Sequence, residues 1–291
     1  MNSISDLTII IPAYNEEENL KLWLPALLEF VKKNSWKLII INDGSKDKTR
    51  ELLKEWETKE CLTILNNKVN KGYGGAIKEG IKAAKTEYSI TIDADGQHYF
   101  DDIIKLHKII KENDADMVIG SRKGQKAGSN FRRFGKWLIR NFAKLLMPIH
   151  IHDINSGMKI YRTVLAQKYL HMYPDTMAFS DVIALVFINY RHLVLEEPIK
   201  IKERKTGESK VGLHSAFETI MEILNILTLF NPMKLFLPIS VSLILFGIGW
   251  TLQFAVKGLG VSVGGSLSII SGLMVFLIGL IAEQLSSIRK Q

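Results

Sequence analysis

A chain of 291 residues that is 47% hydrophobic can bury a full core, and it has the length for one sizeable α/β domain plus something smaller. Its 38 Lys and Arg against 30 Asp and Glu leave a charge of +8, which asks for an anionic partner: nucleic acid, a phosphorylated ligand or lipid headgroups. The single cysteine, Cys61, excludes an internal disulfide framework and points to a reducing compartment.

The opening MNSISDLTIIIPAYNEEE has no basic stretch, and its short apolar run meets Pro12 and then acids. A secretory signal reads differently, so the first domain is expected to stay in the cytoplasm. Runs rich in β-branched residues at 7–11, 37–41, 62–65, 88–92 and 116–120 predict strands. Between them, 16–33, 47–59, 74–85 and 100–112 carry helical periodicity. The alternation predicts a mostly parallel sheet covered by helices on both faces. Ligands of such sheets bind beyond the carboxyl ends of the strands, and the polar clusters lie there: PAYNEEE, NDGSKDKT, NKVNKGYGGA, DADGQH and SRKG after the five strands in turn. No P-loop motif occurs, and GYGGAI lacks the third glycine of the dinucleotide fingerprint, so both of those nucleotide modes are disfavoured.

Within ITIDADGQHYFDD, residues 90–102, Asp93 and Asp95 stand one residue apart on a strand end. Residues i and i+2 of an extended chain point the same way. Two neighbouring hard oxygen donors suit Mg²⁺ or Mn²⁺, held by a few carboxylates plus phosphate oxygens of a substrate. Gly96 allows a sharp turn, and Gln97 can add an amide oxygen to the ion or a bond to a phosphate. His98 either orients the loop or ligates. Asp101 and Asp102 sit where they could cap the next helix.

Between Asp116 and Asp153 there is no acid, while Phe131, Phe134, Leu138, Phe142 and Leu145 recur at helical spacing beside Arg132, Lys136, Arg140 and Lys144. That predicts a basic amphipathic helix at about 130–147, suited to an anionic membrane interface. Residues 213–232 predict an interfacial or coupling helix. Residues 235–256 and 265–282 carry no charge and have the length of membrane spans, for which roughly 20 apolar residues suffice. The turn between them is too short for a domain, so they predict a hairpin with both ends on one side. Lys234, Arg289 and Lys290 against Lys257 in the turn predict that those ends, and the α/β domain with them, lie in the cytoplasm.

PAYNEEENL (12–20), INDGSKDKT (41–49), NKGYGGAIKEG (70–80), DADGQH (93–98), GSR (120–122), DINSG (153–157) and RKTGESK (204–210), in this order, resemble the family-2 glycosyltransferases of GT-A fold. Among these they resemble the polyprenyl-phosphate group that includes dolichyl-phosphate mannose synthase. The resemblance covers roughly residues 7–212, and the two apolar spans fit its membrane-anchored members. It implies a catalytic domain at 1–212, the coupling segment at 213–232 and a hairpin at 233–291 in a multi-pass protein of the cell membrane. It implies that Pro12, Ala13, Tyr14, Glu16, Asp43, Lys71, Asp93 and Ala94 bind the nucleotide sugar. Asp93, Asp95 and Gln97 would take the Mg²⁺ or Mn²⁺ ion, and Asp95 and Arg204 would be catalytic. Arg122, Arg132 or Arg133, Ser209 and Lys210 would meet the acceptor phosphate. For Tyr73, Asp153 and Ser156, structural and sugar-facing roles both stay open.

A phosphate monoester has a second pKa near 6, so the acceptor is largely a dianion at neutral pH and needs no general base. The expected reaction is a single inverting displacement, with a polyprenyl or dolichyl phosphate attacking the sugar of GDP-mannose, or next UDP-glucose. The QxxRW motif of processive synthases is absent. Asp181 stands where many relatives have glutamate, and Met158 at an often aromatic position. The alternatives are transfer to a lipid or glycan hydroxyl and a non-catalytic membrane adaptor. Nucleic-acid binding lacks interleaved stacking aromatics. The expected partners are a nucleotide sugar, the lipid phosphate and the bilayer, and the hairpin offers a surface for a homo-oligomer.

Overall fold

The computed structural model describes residues 5–122, 151–202, 228 and 231–289. They form two compact units, 5–122 with 151–202 and 228 with 231–289. The helix expected at 130–147, the boundary expected at residue 212 and most of the segment 213–232 lie outside the described residues.

The first unit is built on a seven-stranded sheet in the order β3-β2-β1-β4-β6-β5-β7. Its strands are β1 (Leu7–Ala13), β2 (Lys37–Asn42), β3 (Leu62–Asn66), β4 (Tyr88–Thr91), β5 (Met117–Ser121), β6 (Lys159–Arg162) and β7 (Val194–Pro198). Leu7, Ile9, Ile10 and Ile11 of β1 are fully buried, as a central parallel strand covered on both faces requires. Pairing is parallel from β3 through β2 and β1 to β4, and again between β5 and β7. Only β6 runs against its neighbours, between β4 and β5.

Four helices follow the first strands: α1 (Glu17–Lys33), α2 (Thr49–Lys54), α3 (Tyr73–Ala83) and α4 (Phe100–Glu112). Helix α3 returns the chain from the β3 edge to β4 on the far side of β1. It lies close over the sheet at Gly80, where a Cβ would collide with Ile10 and stand 2.9 Å from Ile41 Cδ1. Helix α2 is shorter than the 47–59 expected: beyond Lys54 the amides of Glu55, Trp56 and Glu57 bond three residues back, to Leu52, Leu53 and Lys54, a tightened end rather than another α-turn. The five predicted strands are present. Strands β6 and β7 and helices α5 (Thr163–Lys168) and α6 (Phe179–Asn189) add to them.

In the second unit, α7 (Met233–Val256) and α8 (Val263–Arg289) are long and apolar enough to cross a membrane. They match the expected spans, with α8 about two turns longer at its end. The connection turns at Gly258 and Gly260, with φ of 71° and 76°, a region open to glycine. The helices meet through small residues: Ser240 Oγ donates to the Gly272 carbonyl at 2.9 Å, and Ser268 Oγ to that of Leu243 at 2.9 Å. A Cβ on Gly247 would stand 2.7 Å from the Gly265 carbonyl oxygen. Leu245, Phe246 and Leu252 point outward and are 60–63% exposed, as side chains facing lipid would be.

Candidate active site

The strand order reverses between β1 and β4, and at such a switch point a crevice opens beyond the strand ends. The loop after β1 is stitched to the loop after β2. Asn15, in the left-handed region at φ 57°, donates its amide to Ser45 Oγ at 3.0 Å and accepts from the Lys46 amide at 2.8 Å. The Glu16 amide donates to Thr49 Oγ1 at 2.9 Å and the Glu17 amide to Asp47 at 3.2 Å. One wall is thereby fixed, with Pro12 and Ala13 paired to Ile41 and Asn42 in the sheet and Tyr14 left 39% exposed.

Asp43, buried at the end of β2, accepts from Asn67 Nδ2 at 2.7 Å and from the amides of Lys71 and Gly72 at 2.9–3.1 Å. Its carboxylate therefore holds the loop that opens α3. The Lys71 ammonium turns away onto Glu79 at 2.7 Å. The glycines of GYGGA serve a backbone approach: the amides of Gly74 and Gly75 donate to the Asp175 carbonyl at 2.9 and 3.2 Å, and a Cβ on Gly74 would stand 2.8 Å from the Thr176 carbonyl oxygen.

Opposite lies the DADGQH turn after β4. The Trp23 indole of α1 donates to the Ala94 carbonyl at 2.9 Å. Gly96, at φ 68°, sits against the same ring, where a Cβ would be 2.9 Å from Cδ1. Asp95 Oδ1 accepts from the Gln97 amide at 3.1 Å, closing the turn. Asp93 accepts from the Tyr73 hydroxyl at 2.9 Å. Its Oδ2 lies 3.8 Å from His98 Nε2, and Gly157 packs so close that a Cβ there would run into the carboxylate. Burial pushes the Asp93 carboxyl up, but His98, Tyr73 and Lys159 outweigh it and hold the group below its usual range. The segment ahead of Arg204 returns here: the Lys202 amide donates to the Gln97 carbonyl at 2.9 Å, and Ile201 bridges His98.

The third wall is a charge cluster around β5 and β6. Arg122 grips Asp153 with Nε and Nη2, both at 2.7 Å, while its amide donates to the same carboxylate at 2.9 Å and Nη2 also reaches the Asn155 carbonyl at 3.0 Å. Asp153 is itself placed by Glu196, which accepts from the amides of His152 and Asp153 at 2.8 and 2.9 Å. Lys159 is 1% exposed and donates to the Ser156 carbonyl. Burial pulls its ammonium down to about 8 against the attraction of Asp181 and Asp153, and pushes the Asp181 carboxyl up to about 6.

Asp93, Ala94, Asp95, Gln97 and the Pro12–Glu16 segment thus line the ends of the adjacent strands β1 and β4. The Asp43 carboxylate holds the loop before α3 through the Lys71 and Gly72 amides, and Arg122 is paired with Asp153. Arg132, Arg133, Arg204, Ser209 and Lys210 lie outside the described residues. Sequence reasoning missed Trp23, whose indole reaches the site from α1, and Lys159, whose place in a buried cluster no local pattern announces. Among the described residues no group of three or more His, Cys, Asp or Glu could hold a metal alone. The donors do fit a hard cation shared with a phosphorylated substrate, since Mg²⁺ characteristically takes one or two carboxylates and completes its shell with phosphate and water.

Residues 8–170 match the family model described as glycosyl transferase family 2, and residues 231–288 match a model described as a GtrB C-terminal hairpin. A dolichyl-phosphate beta-glucosyltransferase of Trichomonas vaginalis is 34% identical over 172 residues, 53% of this chain; the chain spans about half that relative's length, 52%. An undecaprenyl-phosphate 4-deoxy-4-formamido-L-arabinose transferase of Edwardsiella ictaluri is 25% identical over 230 residues, 78% of this chain and 69% of the relative. Among solved structures, glucosyl-3-phosphoglycerate synthase from Mycobacterium tuberculosis, crystallised with Mn²⁺, uridine diphosphate and phosphoglyceric acid, superposes with a TM-score of 0.57 at 14% identity, covering 76% of this chain and 78% of that one. That likeness bears out the expected GT-A architecture. On the family match and the fold together, the chain is a glycosyltransferase belonging to glycosyl transferase family 2.

Proposed function

We propose that the chain is a membrane-anchored inverting enzyme that moves a hexose from a nucleotide sugar to a polyprenyl phosphate at the cytoplasmic face of the bilayer. The observation that carries this reading is the Asp93–Gln97 turn at the strand-order reversal, stitched to Trp23 and facing the loop after β1. The relatives named above act on dolichyl and undecaprenyl phosphates, and two apolar helices supply a membrane anchor. The basic residues at its two chain ends favour the cytoplasmic orientation. Those relatives transfer glucose and an arabinose derivative, which lends no support to GDP-mannose as first choice. UDP-glucose is therefore placed ahead of it.

In this reading Pro12, Ala13, Tyr14 and Glu16 wall the nucleoside, and Asp43 keeps the opposite loop in place through the Lys71 amide. Asp93, Asp95 and Gln97 would hold a Mg²⁺ or Mn²⁺ ion, which when bound neutralises charge on the leaving diphosphate. Arg204 would add charge there, a role favoured by residues 201–202 lying against Gln97 and His98. Arg132 or Arg133, Ser209 and Lys210 would draw in the lipid phosphate. Arg122, already forked onto Asp153, offers it only the guanidinium edge that Asp153 leaves over. The phosphate oxygen is a nucleophile at neutral pH without a base, so attack on the anomeric carbon opposite the diphosphate inverts configuration.

The test is a panel of nucleotide sugars offered to the purified chain with a polyprenyl phosphate and, in parallel, the matching polyprenol. A sugar phosphate lipid formed from the phosphate alone supports the reading. Transfer to the alcohol instead would replace it with a hydroxyl-directed enzyme.

A further inference from the structure

Tyr73 opens α3, which is pinned at its start: the Gly72 amide bonds Asp43 at 2.9 Å, and the Gly74 and Gly75 amides bond the Asp175 carbonyl. From this fixed base the phenol crosses to Asp93 Oδ1 at 2.9 Å. Ser180, at the start of α6, neighbours the same hydroxyl. On another side the Gly157 backbone leaves no room for a Cβ beside the carboxylate. The last torsion of an aspartate is broad and soft, so an unclamped Asp93 would present its oxygens over a wide range of angles.

We propose that Tyr73 is a positioning residue for Asp93, its hydroxyl and the Gly157 backbone together fixing which edge of the carboxylate meets the cation and diphosphate. The inference rests on the reading that Asp93 and Asp95 serve that complex. Hydrogen-bond partners of this kind orient metal ligands, and their removal typically weakens metal affinity about 10- to 100-fold.

The experiment titrates Mn²⁺ into the full chain in detergent with UDP present, following the free-ion signal by electron paramagnetic resonance. Wild type, Y73F, G157A and D95A are compared, with folding checked by thermal melting. The expected result is a Mn²⁺ half-saturation raised about tenfold or more in Y73F, and raised as well in G157A, which reaches the same carboxylate without touching Tyr73 and carries the test should Y73F not fold. Wild-type affinity in both folded variants, with D95A impaired, overturns the role of Tyr73 and leaves the site reading intact. No UDP-dependent Mn²⁺ binding in wild type beyond that of D95A overturns both.

Discussion

Arg122 and Asp153, 31 positions apart, are joined by a two-pronged contact at 2.7 Å on each prong, and the Arg122 amide bonds the same carboxylate. This pairing ties the end of β5 to the loop that enters β6. It also means that an arginine expected to receive a phosphate already has an anionic partner. Residues sharing such a contact couple by about 0.5–3 kcal/mol in a double-mutant cycle. A cycle on R122A and D153A, read by denaturant unfolding of the detergent-solubilised chain, is expected to give at least about 1 kcal/mol, toward the lower part of that range because the guanidinium is partly exposed. A coupling near zero would show that the fork contributes nothing to holding the loop.

Trp23 bears on the DADGQH turn through one bond and one face. W23F keeps an aromatic surface against Gly96 but removes the donor to the Ala94 carbonyl, at a cost of about 1 kcal/mol. G96A is expected to cost more, about 1–3 kcal/mol, since the added methyl meets the ring at a left-handed backbone position. Both should weaken UDP binding measured by calorimetry with Mn²⁺ present. Unchanged binding in G96A would mean the turn is not held by this contact.

The Asp181 carboxyl, raised by burial from 3.8 to about 6, makes the folded chain hold a proton that the unfolded chain releases. Its favourable contribution is complete below about pH 4 and is lost as pH rises through 6. D181N removes the penalty of the ionised form. Relative to wild type it is expected to melt higher at pH 8 than at pH 5, with a gain of about 1–3 kcal/mol at the higher pH. An equal shift at both pH values contradicts the assignment.

In the hairpin, Gly272 lies against Ile244 and the Ser240 carbonyl, and membrane helices associate through such small-residue contacts. G272L should force α7 and α8 apart. Paired cysteines introduced along the two helices would then cross-link less than in the parent. Equal cross-linking would show that the close approach is not needed.

The features legible in the sequence are those written in contiguous stretches. Five β-branched runs gave the parallel strands, DADGQH offered two neighbouring oxygen donors by its spacing, and the two uncharged spans announced α7 and α8. Strand β6, four residues reading KIYR, hides because a buried lysine looks like surface. Strand β7 reads VLEEP, and its Glu196 is spent on backbone amides. The contacts that aim the site join distant positions: Trp23 to Ala94, Tyr73 to Asp93, Arg122 to Asp153. No periodicity records such pairings, because tertiary packing decides them. At Asp43 and Lys71, where the resemblance implied contact with the nucleotide sugar, the bond from the Lys71 amide to the Asp43 carboxylate joins positions 28 apart, which no local pattern records.

The most direct test of the account is sugar transfer from UDP-glucose or GDP-mannose to a polyprenyl phosphate by the wild-type chain and by D95N, each titrated with Mg²⁺ after chelation. Expected are no transfer by the wild type without the ion, recovery on adding it, and at least about a hundredfold lower rate in D95N at saturating metal, the scale seen when one preorganised electrostatic contact is lost. Full transfer by D95N, or by the chelated wild type, would contradict it.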